Sequence, residues 1–488
     1  MLSLLDYLER TASRFPDKIA FADEKESVSF AKLVEIGKDV GTAIAREVGG
    51  LRLPVALLTN HSVADIAAFI GVLYAGCFFI PMDSGAPKEH IASRLSALNP
   101  AMTIEISTLA ALPRVSTDEA LLADIRLRIL STDPAYAIFT SGSTGVPKAA
   151  IISHGSSINL AEWLGETFCF SDRTVYASQA PFYYDAALRE LFSTLRDGST
   201  MHLIPRRLFS FPLALMRRVE EVGANVLQWV TAATIIAANS GVFDRFVPKG
   251  IEEVIFGGEN LTGKILNIWK KAMPDARFCN MYGPTETTVA CTYYFIDREF
   301  ADGESVPIGF PCRDFEISLL DEYGNPVSVG EPGEIYVRGS GVGLGYYNDT
   351  IRTSEAFVQN PTNPSYRDIV YRTGDIAKRN DYGELVFLSR ADQQVKHMGN
   401  RVELGEVETA AAGLGGIRLA CCSYDRENRQ ILLFFEGTVT ERDITESLNS
   451  LLPHYMLPNI VIKMDKMPAM PNGKIDRLRL LEEYHSGL

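Results

Sequence analysis

Two stretches hold the residue types with the most chemistry in them. In Tyr136-Ala-Ile-Phe-Thr-Ser-Gly-Ser-Thr-Gly-Val-Pro-Lys148 an apolar strand runs into Thr140, Ser141, Gly142, Ser143, Thr144 and Gly145, and then into a lysine. Small residues let backbone N–H groups face an anion, hydroxyls donate to it, and the Lys148 ammonium neutralises it. That is the composition of a phosphate loop, although the spacing from Gly142 to Lys148 is not the G-x-x-x-x-G-K-[ST] of a Walker loop. A Ser/Gly surface turn is the bland alternative; the buried strand before it and the lysine after it weigh against that. In the second stretch, Asn280-Met-Tyr-Gly-Pro-Thr-Glu-Thr-Thr288, a strand delivers an amide, an aromatic ring, a tight Gly-Pro turn and a carboxylate. These can hydrogen-bond a purine, stack on it, bend the chain and hold Mg²⁺ beside phosphates.

Together the two stretches make the chain resemble the adenylate-forming superfamily. Within it the likeness is to the amino-acid adenylation domains of nonribosomal peptide synthesis and to free-standing D-alanine–carrier ligases. The resemblance covers nearly the whole chain, because further motifs occur in order: Ala75-Gly76 with Phe79-Ile-Pro-Met-Asp83, Gly333-Glu-Ile-Tyr-Val-Arg-Gly339, Tyr371-Arg-Thr-Gly-Asp375, Arg390-Ala-Asp392, Gln394-Val-Lys396 with Gly399 and Arg401, Glu403-Leu-Gly-Glu-Val-Glu408, and Pro471-Asn-Gly-Lys474. Two positions depart from it: Ala149 and Ser389 stand where glycine is usual, and both are small enough for little crowding. The resemblance implies ATP and Mg²⁺ as cofactors. It implies that Asn280 and Tyr282 receive adenine and that Asp375 and Arg390 bind ribose. It also implies that Glu286 holds the metal, that Thr140 and the mobile Lys474 are catalytic, and that Asp392 is the hinge. Gly258, Glu259, Gly283 and Thr285 complete the implied nucleotide site.

The same resemblance implies a carboxylate activated as acyl-AMP with release of pyrophosphate, then passed to the phosphopantetheine thiol of a separate carrier protein, near a tunnel lined by Gly399. Asp185 matches the position that pairs with the α-ammonium of an amino acid; read without the resemblance, it is an ordinary helix N-cap. The implied pocket walls are Ala186, Arg189, Gln228, Ile255, Gly257, Met281, Val289 and Ala290. Arg189 is the outlier there, since a guanidinium in a confined pocket needs a carboxylate partner. It points to an acidic substrate such as glutamate or aspartate; if it pairs instead with Glu190 or another protein carboxylate, a small neutral substrate such as alanine is expected. Other readings are an acyl-CoA ligase, against which Asp185 speaks, and a catalytically silent nucleotide-binding scaffold, against which Lys148, Glu286, Asp375 and Lys474 together speak.

The elements that must position these groups follow from the hydrophobic pattern. Short apolar runs (Pro54–Leu58, Tyr136–Phe139, Val254–Phe256, Phe278–Met281) alternate with helix-period stretches (Leu213–Val222, Lys264–Ala272), which predicts an α/β fold of helix-covered parallel sheets. MLSLLDYLERTASRF is an amphipathic helix, not a signal peptide. The apolar run Ile66–Met82 splits into a buried helix, a glycine stop and a strand Cys77–Ile80, leaving no transmembrane segment. From about residue 305 the Gly- and Asn-punctuated texture predicts a β-barrel-like region. A new pattern after Leu388, with helices Glu403–Ala412 and Glu441–Leu451 around a strand Gln430–Glu436, predicts a small mobile α+β domain. The expected division is 1–389 for the adenylation core and 390–488 for the C-terminal domain.

The chain has 488 residues and a net charge of −14, with 46% hydrophobic residues. So large a chain exceeds one core, and so acidic a chain repels polyphosphate and anionic lipid, arguing against nucleic-acid and membrane partners. Seven cysteines without a CxxC pattern read as reduced thiols of a cytoplasmic protein. His154 and His397 sit beside motif residues without a metal-ligand pattern and are expected to be structural or surface groups. Only 14 residues follow Lys474, with no carrier motif, so a free-standing enzyme is expected.

Overall fold

The computed structural model describes residues 3–107, 116–140, 148–390, 394–468 and 475–487. Contacts divide the chain into two compact units: one of residues 1–84, 100–139 and 149–391, the other of residues 85–99, 140–148 and 392–488.

The first unit is built on sheets whose strands are buried on both faces, so they read as apolar runs without polar alternation. The largest sheet has nine strands in the order Phe310–Pro311, Thr292–Phe295, Arg277–Tyr282, Glu253–Gly257, Val226–Val230, Val175–Ser178, Thr200–Leu203, Ile19–Ala22, Ser27–Ser29. Its six middle strands are parallel, from Arg277–Tyr282 to Ile19–Ala22. A second sheet has the order Gly345–Tyr346, Lys148–Ser153, Pro134–Thr140, Phe78–Asp83, Pro54–Thr59, Met102–Glu105. The main core draws Phe21, Tyr176 and Ile255 from the first sheet and Val55, Phe79 and Ile152 from the second, with the helices Leu4–Arg14, Val63–Tyr74, His154–Phe168 and Ala186–Asp197 between and around them. Another core, with Trp229, Phe256 and Trp269 fully buried, covers the opposite face of the nine-stranded sheet. The helix Val63–Tyr74 and the strand Phe78–Asp83 confirm the split expected of the long apolar run. Gly76, at φ +71 in the turn between them, takes a conformation that side chains disfavour.

The barrel-like region is an antiparallel five-stranded sheet of Phe315–Leu320, Gly333–Gly339, Ile369–Arg379, Phe357–Gln359 and Leu385–Arg390. In the second unit a three-stranded sheet, Ile417–Asp425, Gln430–Gly437 and Ile460–Lys463, carries the helices Leu404–Ala412 and Glu441–Leu451 over a core of Val407, Leu433 and Leu448. All seven cysteines are free thiols, and six are buried. Among the described residues no helix is long and apolar enough to cross a membrane.

Candidate active site

In open parallel sheets, ligands bind at the carboxyl ends of the strands, where the loops leave backbone groups unpaired. Of the residues singled out in the sequence, Gly257 and Tyr282 end the parallel strands Glu253–Gly257 and Arg277–Tyr282, with Asn280 just before the second end. Asn280 is buried and donates through Nδ2 to the carbonyl oxygens of Pro307 (2.9 Å) and Val306 (3.4 Å). These bonds set the amide's orientation and leave its Oδ1 a buried acceptor without a protein partner. An acceptor held this way suits an exocyclic amine such as that of adenine.

Two residues on, Tyr282 donates its hydroxyl to Asp375 Oδ2 at 2.5 Å, and Arg390 Nη1 donates to Asp375 Oδ1 at 2.6 Å. Burial, and then the Asp375 carboxylate, raise the Tyr282 pKa well above the usual phenol range, so the ring remains a donor. Thr373, within the expected motif but not singled out, receives the Asp375 N–H on Oγ1 at 3.0 Å and donates to Ile335 O at 2.8 Å. Register places Asp375 opposite Arg390 on neighbouring strands, so two residues 15 apart in the chain form one charged pair. Both are largely buried, at 7% and 10% side-chain exposure.

Between these groups the chain turns sharply. A Cβ on Gly283 would lie 2.6 Å from Ala290 Cα and 2.7 Å from Val289 O, so only glycine lets the segment of Val289 and Ala290 press against the strand end. The returning segment is closed by a bond from Cys291 N to Tyr282 O and passes through left-handed backbone at Thr288 and Val289. Glu286 is fully buried on the short helix Thr285–Thr287, and its Oε1 accepts from Tyr346 Oη at 2.8 Å. Tyr346 went unnoticed in the sequence because it arrives from a two-residue strand sixty positions away, with no local pattern to mark it. No cluster of three or more His, Cys, Asp or Glu suited to a metal occurs among the described residues. A lone carboxylate fits Mg²⁺, which takes most of its ligands from phosphates and water.

Of the phosphate loop, Thr140 and Lys148 are described: Thr140 is buried, and its hydroxyl reaches Lys148 O at 3.4 Å. Ser141, Gly142, Ser143, Thr144 and Gly145 lie outside the described residues, as do Asp392 and Lys474. Gly258, at φ +97, turns the chain after the strand Glu253–Gly257. Thr231 holds that turn by donating to Gly257 O (3.2 Å) and Glu259 O (3.3 Å).

The candidate substrate pocket is built from the helix Ala186–Asp197 and the sheet face beneath it. Asp185 heads the helix but makes no side-chain capping bond, so capping does not account for it. Arg189 is 3% exposed. Its Nε donates to Ala186 O at 3.2 Å and its Nη1 lies 3.7 Å from Met281 Sδ. A Cβ on Gly257 would lie 3.4 Å from Nη1, in ordinary van der Waals contact, so the guanidinium packs directly over this strand position. Register aligns Gln228 with Ile255 and Ile255 with Cys279, one step below Gly257 and Met281 on the same face. Gln228 is 1% exposed, and neither its amide nitrogen nor its oxygen has a hydrogen-bond partner. Among the described residues Arg189 forms no ion pair with a protein carboxylate. Burial lowers its pKa, with Glu190 and Asp185 acting against that. His154 and His397 are both buried; His154 Nδ1 accepts from Leu4 N at 3.4 Å.

The profile of the AMP-binding enzyme family matches residues 8–347. The D-alanine–D-alanyl carrier protein ligase of Bacillus velezensis is 30% identical over 99% of this chain and 99% of that one. Tyrocidine synthase 3 of Brevibacillus parabrevis is 29% identical over 98% of this chain, which spans only 8% of the synthase. In structure, the Vibrio cholerae adenylation domain AlmE, solved with glycyl-adenosine-5'-phosphate, matches with a TM-score of 0.83 at 19% identity, over 100% of this chain and 98% of that one. An NRPS protein containing adenylation and PCP domains matches with a TM-score of 0.84 at 22% identity, over 99% and 84%.

Proposed function

The chain belongs to the AMP-binding enzyme family and is a ligase, and from that premise we propose that it joins an acidic amino acid to AMP and passes it to the thiol of a separate carrier protein. The observation that carries the substrate class is the buried Arg189 guanidinium, which forms no ion pair with a protein carboxylate among the described residues and lies on the sheet face that also presents Gln228. A buried charge left unpaired costs several kcal/mol, and a substrate side-chain carboxylate would offset that cost.

A free carboxylate is a poor acyl donor because oxide is a poor leaving group. Its attack on the α-phosphorus of ATP forms the mixed anhydride and expels pyrophosphate; attack by a thiol then forms the thioester and expels AMP. For an in-line displacement the protein's task is positioning and charge neutralisation. In this reading Asn280 Oδ1 receives the adenine amine, Asp375 the ribose hydroxyls, and Asp185 the α-ammonium. The Thr140 hydroxyl donates to the phosphates, and Lys148 and Lys474 neutralise them. Glu286 would hold Mg²⁺, which supplies Lewis-acid charge to the phosphate oxygens. A small neutral substrate is the second reading, favoured by the D-alanine ligase that matches over its full length.

The test is amino-acid-dependent ATP–pyrophosphate exchange across the protein amino acids and D-alanine, with wild type and Arg189→Ala. Aspartate or glutamate should support exchange, and the variant should lose about 2–4 kcal/mol of specificity for it, roughly 30- to 1000-fold in kcat/KM. Exchange with alanine alone, undiminished in the variant, would replace the acidic reading by the neutral one.

A further inference from the structure

Glu190, next to Arg189 on the helix Ala186–Asp197, is 1% exposed, and its Oε1 has no protein hydrogen-bond partner. It belongs to a buried polar seam between that helix and the strand Val175–Ser178. Tyr176 Oη, Ser178 Oγ and Ser193 Oγ are likewise buried without a hydrogen bond of good geometry, yet Ser178 lies near enough to Glu190, and Ser193 and Ser199 to Tyr176, to act on their ionisation; Ser199 donates to Thr194 Oγ1 at 3.2 Å. The seam ends at Asp197, whose buried Oδ2 lacks a partner and whose side chain lines an open cavity of about 340 Å³ with Arg10, Arg14 and Asp172. Orphan hydroxyl and carboxyl groups in a row are the usual hosts of internal water, which can carry protons between solvent and the interior.

We propose that Glu190 is a positioning residue whose proton is coupled to substrate: when the side-chain carboxylate of an acidic amino acid takes the Arg189 guanidinium, Glu190 binds one proton drawn from solvent along this seam. The proposal rests on the acidic-substrate reading. Without substrate, the Glu190 and Asp185 carboxylates act on the Arg189 guanidinium through space, with no ion-pair contact among the described residues. A further anion on the guanidinium makes an ionised Glu190 costlier, and protonating Glu190 relieves that cost. Burial already pushes this carboxyl up to about 7, opposed by Ser178 and Arg189. Of the other charged or titratable groups around the helix, Asp185 at its head acts on the same guanidinium, and the rest are otherwise engaged. Arg196 binds Glu162 and Asp197, Tyr7 binds Glu162, Tyr136 and Cys279 are pushed up by burial, and His202 is pulled down by burial and then by Arg218.

The sign follows. Below pH 7 Glu190 is already protonated and binding takes up nothing. Above it, each pH unit lowers affinity for the acidic substrate by up to about tenfold, and neutral amino acids are unaffected. The experiment is calorimetric titration of the full chain with L-aspartate and L-glutamate beside a non-reactive ATP analogue, at pH 6 and pH 8, in buffers of different ionisation enthalpy. Wild type should take up close to one proton at pH 8 and none at pH 6. Glu190→Gln should take up none at either pH, and Ser178→Ala should move the onset to higher pH. Binding at pH 6 with no uptake at pH 8, or uptake unchanged in Glu190→Gln, overturns the proposal alone. No binding of either acid at pH 6, where Glu190 cannot obstruct it, overturns the acidic reading and this proposal together.

Discussion

Replacing Asp375 by asparagine keeps the side chain's shape and removes its charge from the bonds with Tyr282 and Arg390. Those bonds are 2.5 and 2.6 Å long, and the two charged side chains are 7% and 10% exposed, so solvent screens them little. A hydrogen bond to a charged group contributes about 1.5–3 kcal/mol net. Asparagine retains one acceptor oxygen, but its NH₂ turns a donor toward a donor, so the loss should be about 2–4 kcal/mol, close to that of a broken buried pair. The first unit has roughly 370 residues, for which an unfolding entropy of ~2.1 cal/mol/K per residue gives ~0.8 kcal/mol/K. The melting temperature, followed by tryptophan fluorescence, should therefore fall by about 3–5 °C, and KM for ATP should rise. The double variant Asp375→Leu with Arg390→Met should recover most of the stability and none of the ATP affinity, because a buried pair replaced by apolar groups is often neutral. A melting temperature within about 1 °C of wild type for Asp375→Asn, with KM for ATP unchanged, would refute the reasoning.

Lys474→Ala should abolish pyrophosphate exchange while leaving the melting temperature unchanged, since the charge is required only as the phosphoryl transition state forms; undiminished turnover would remove Lys474 from the chemistry. In Gly283→Ala the new Cβ collides with Ala290 Cα and Val289 O, so the segment carrying two pocket residues must shift. Overpacking of this kind costs about 1–3 kcal/mol, and KM for the amino acid should rise with the loss of stability. His154 is held neutral by burial, which pulls its pKa down to about 4. Its contribution to stability is complete above the unfolded value of about 6.5 and is lost as pH falls toward 4, because the unfolded imidazole binds a proton that the folded one refuses. Denaturant midpoints between pH 7 and 4 should fall less steeply in His154→Gln than in wild type.

The elements were legible wherever burial wrote a local period. Pro54–Thr59, Glu253–Gly257 and Arg277–Tyr282 are strands where apolar runs foretold them. The helices Pro212–Glu221, Gly263–Ala272 and Glu441–Leu451 lie within a residue of their expected bounds. Motif residues close in sequence, such as Asn280, Tyr282 and Glu286, were legible because one strand end and its turn deliver them together. Arg189 stood out by type alone, as a charge in a stretch otherwise suited to burial.

What its charge meets was not legible. Whether Arg189 pairs with Glu190 or lacks a protein carboxylate depends on which way consecutive side chains leave the helix and on which sheet residues lie beneath them. The same holds for the bond from Tyr346 to Glu286, the alignment of Asp375 with Arg390, the unpartnered amide of Gln228, and the seam joining Glu190 to Tyr176 and Ser193. The sequence by itself therefore determined the elements, the family resemblance and the inventory of reactive groups, since these rest on local periodicity and on residue type. Tertiary structure alone decided which polar groups are satisfied and which are left to a ligand, because hydrogen bonds and ion pairs act over a few ångströms in space, and closeness in space is set by strand register and helix packing rather than by distance along the chain.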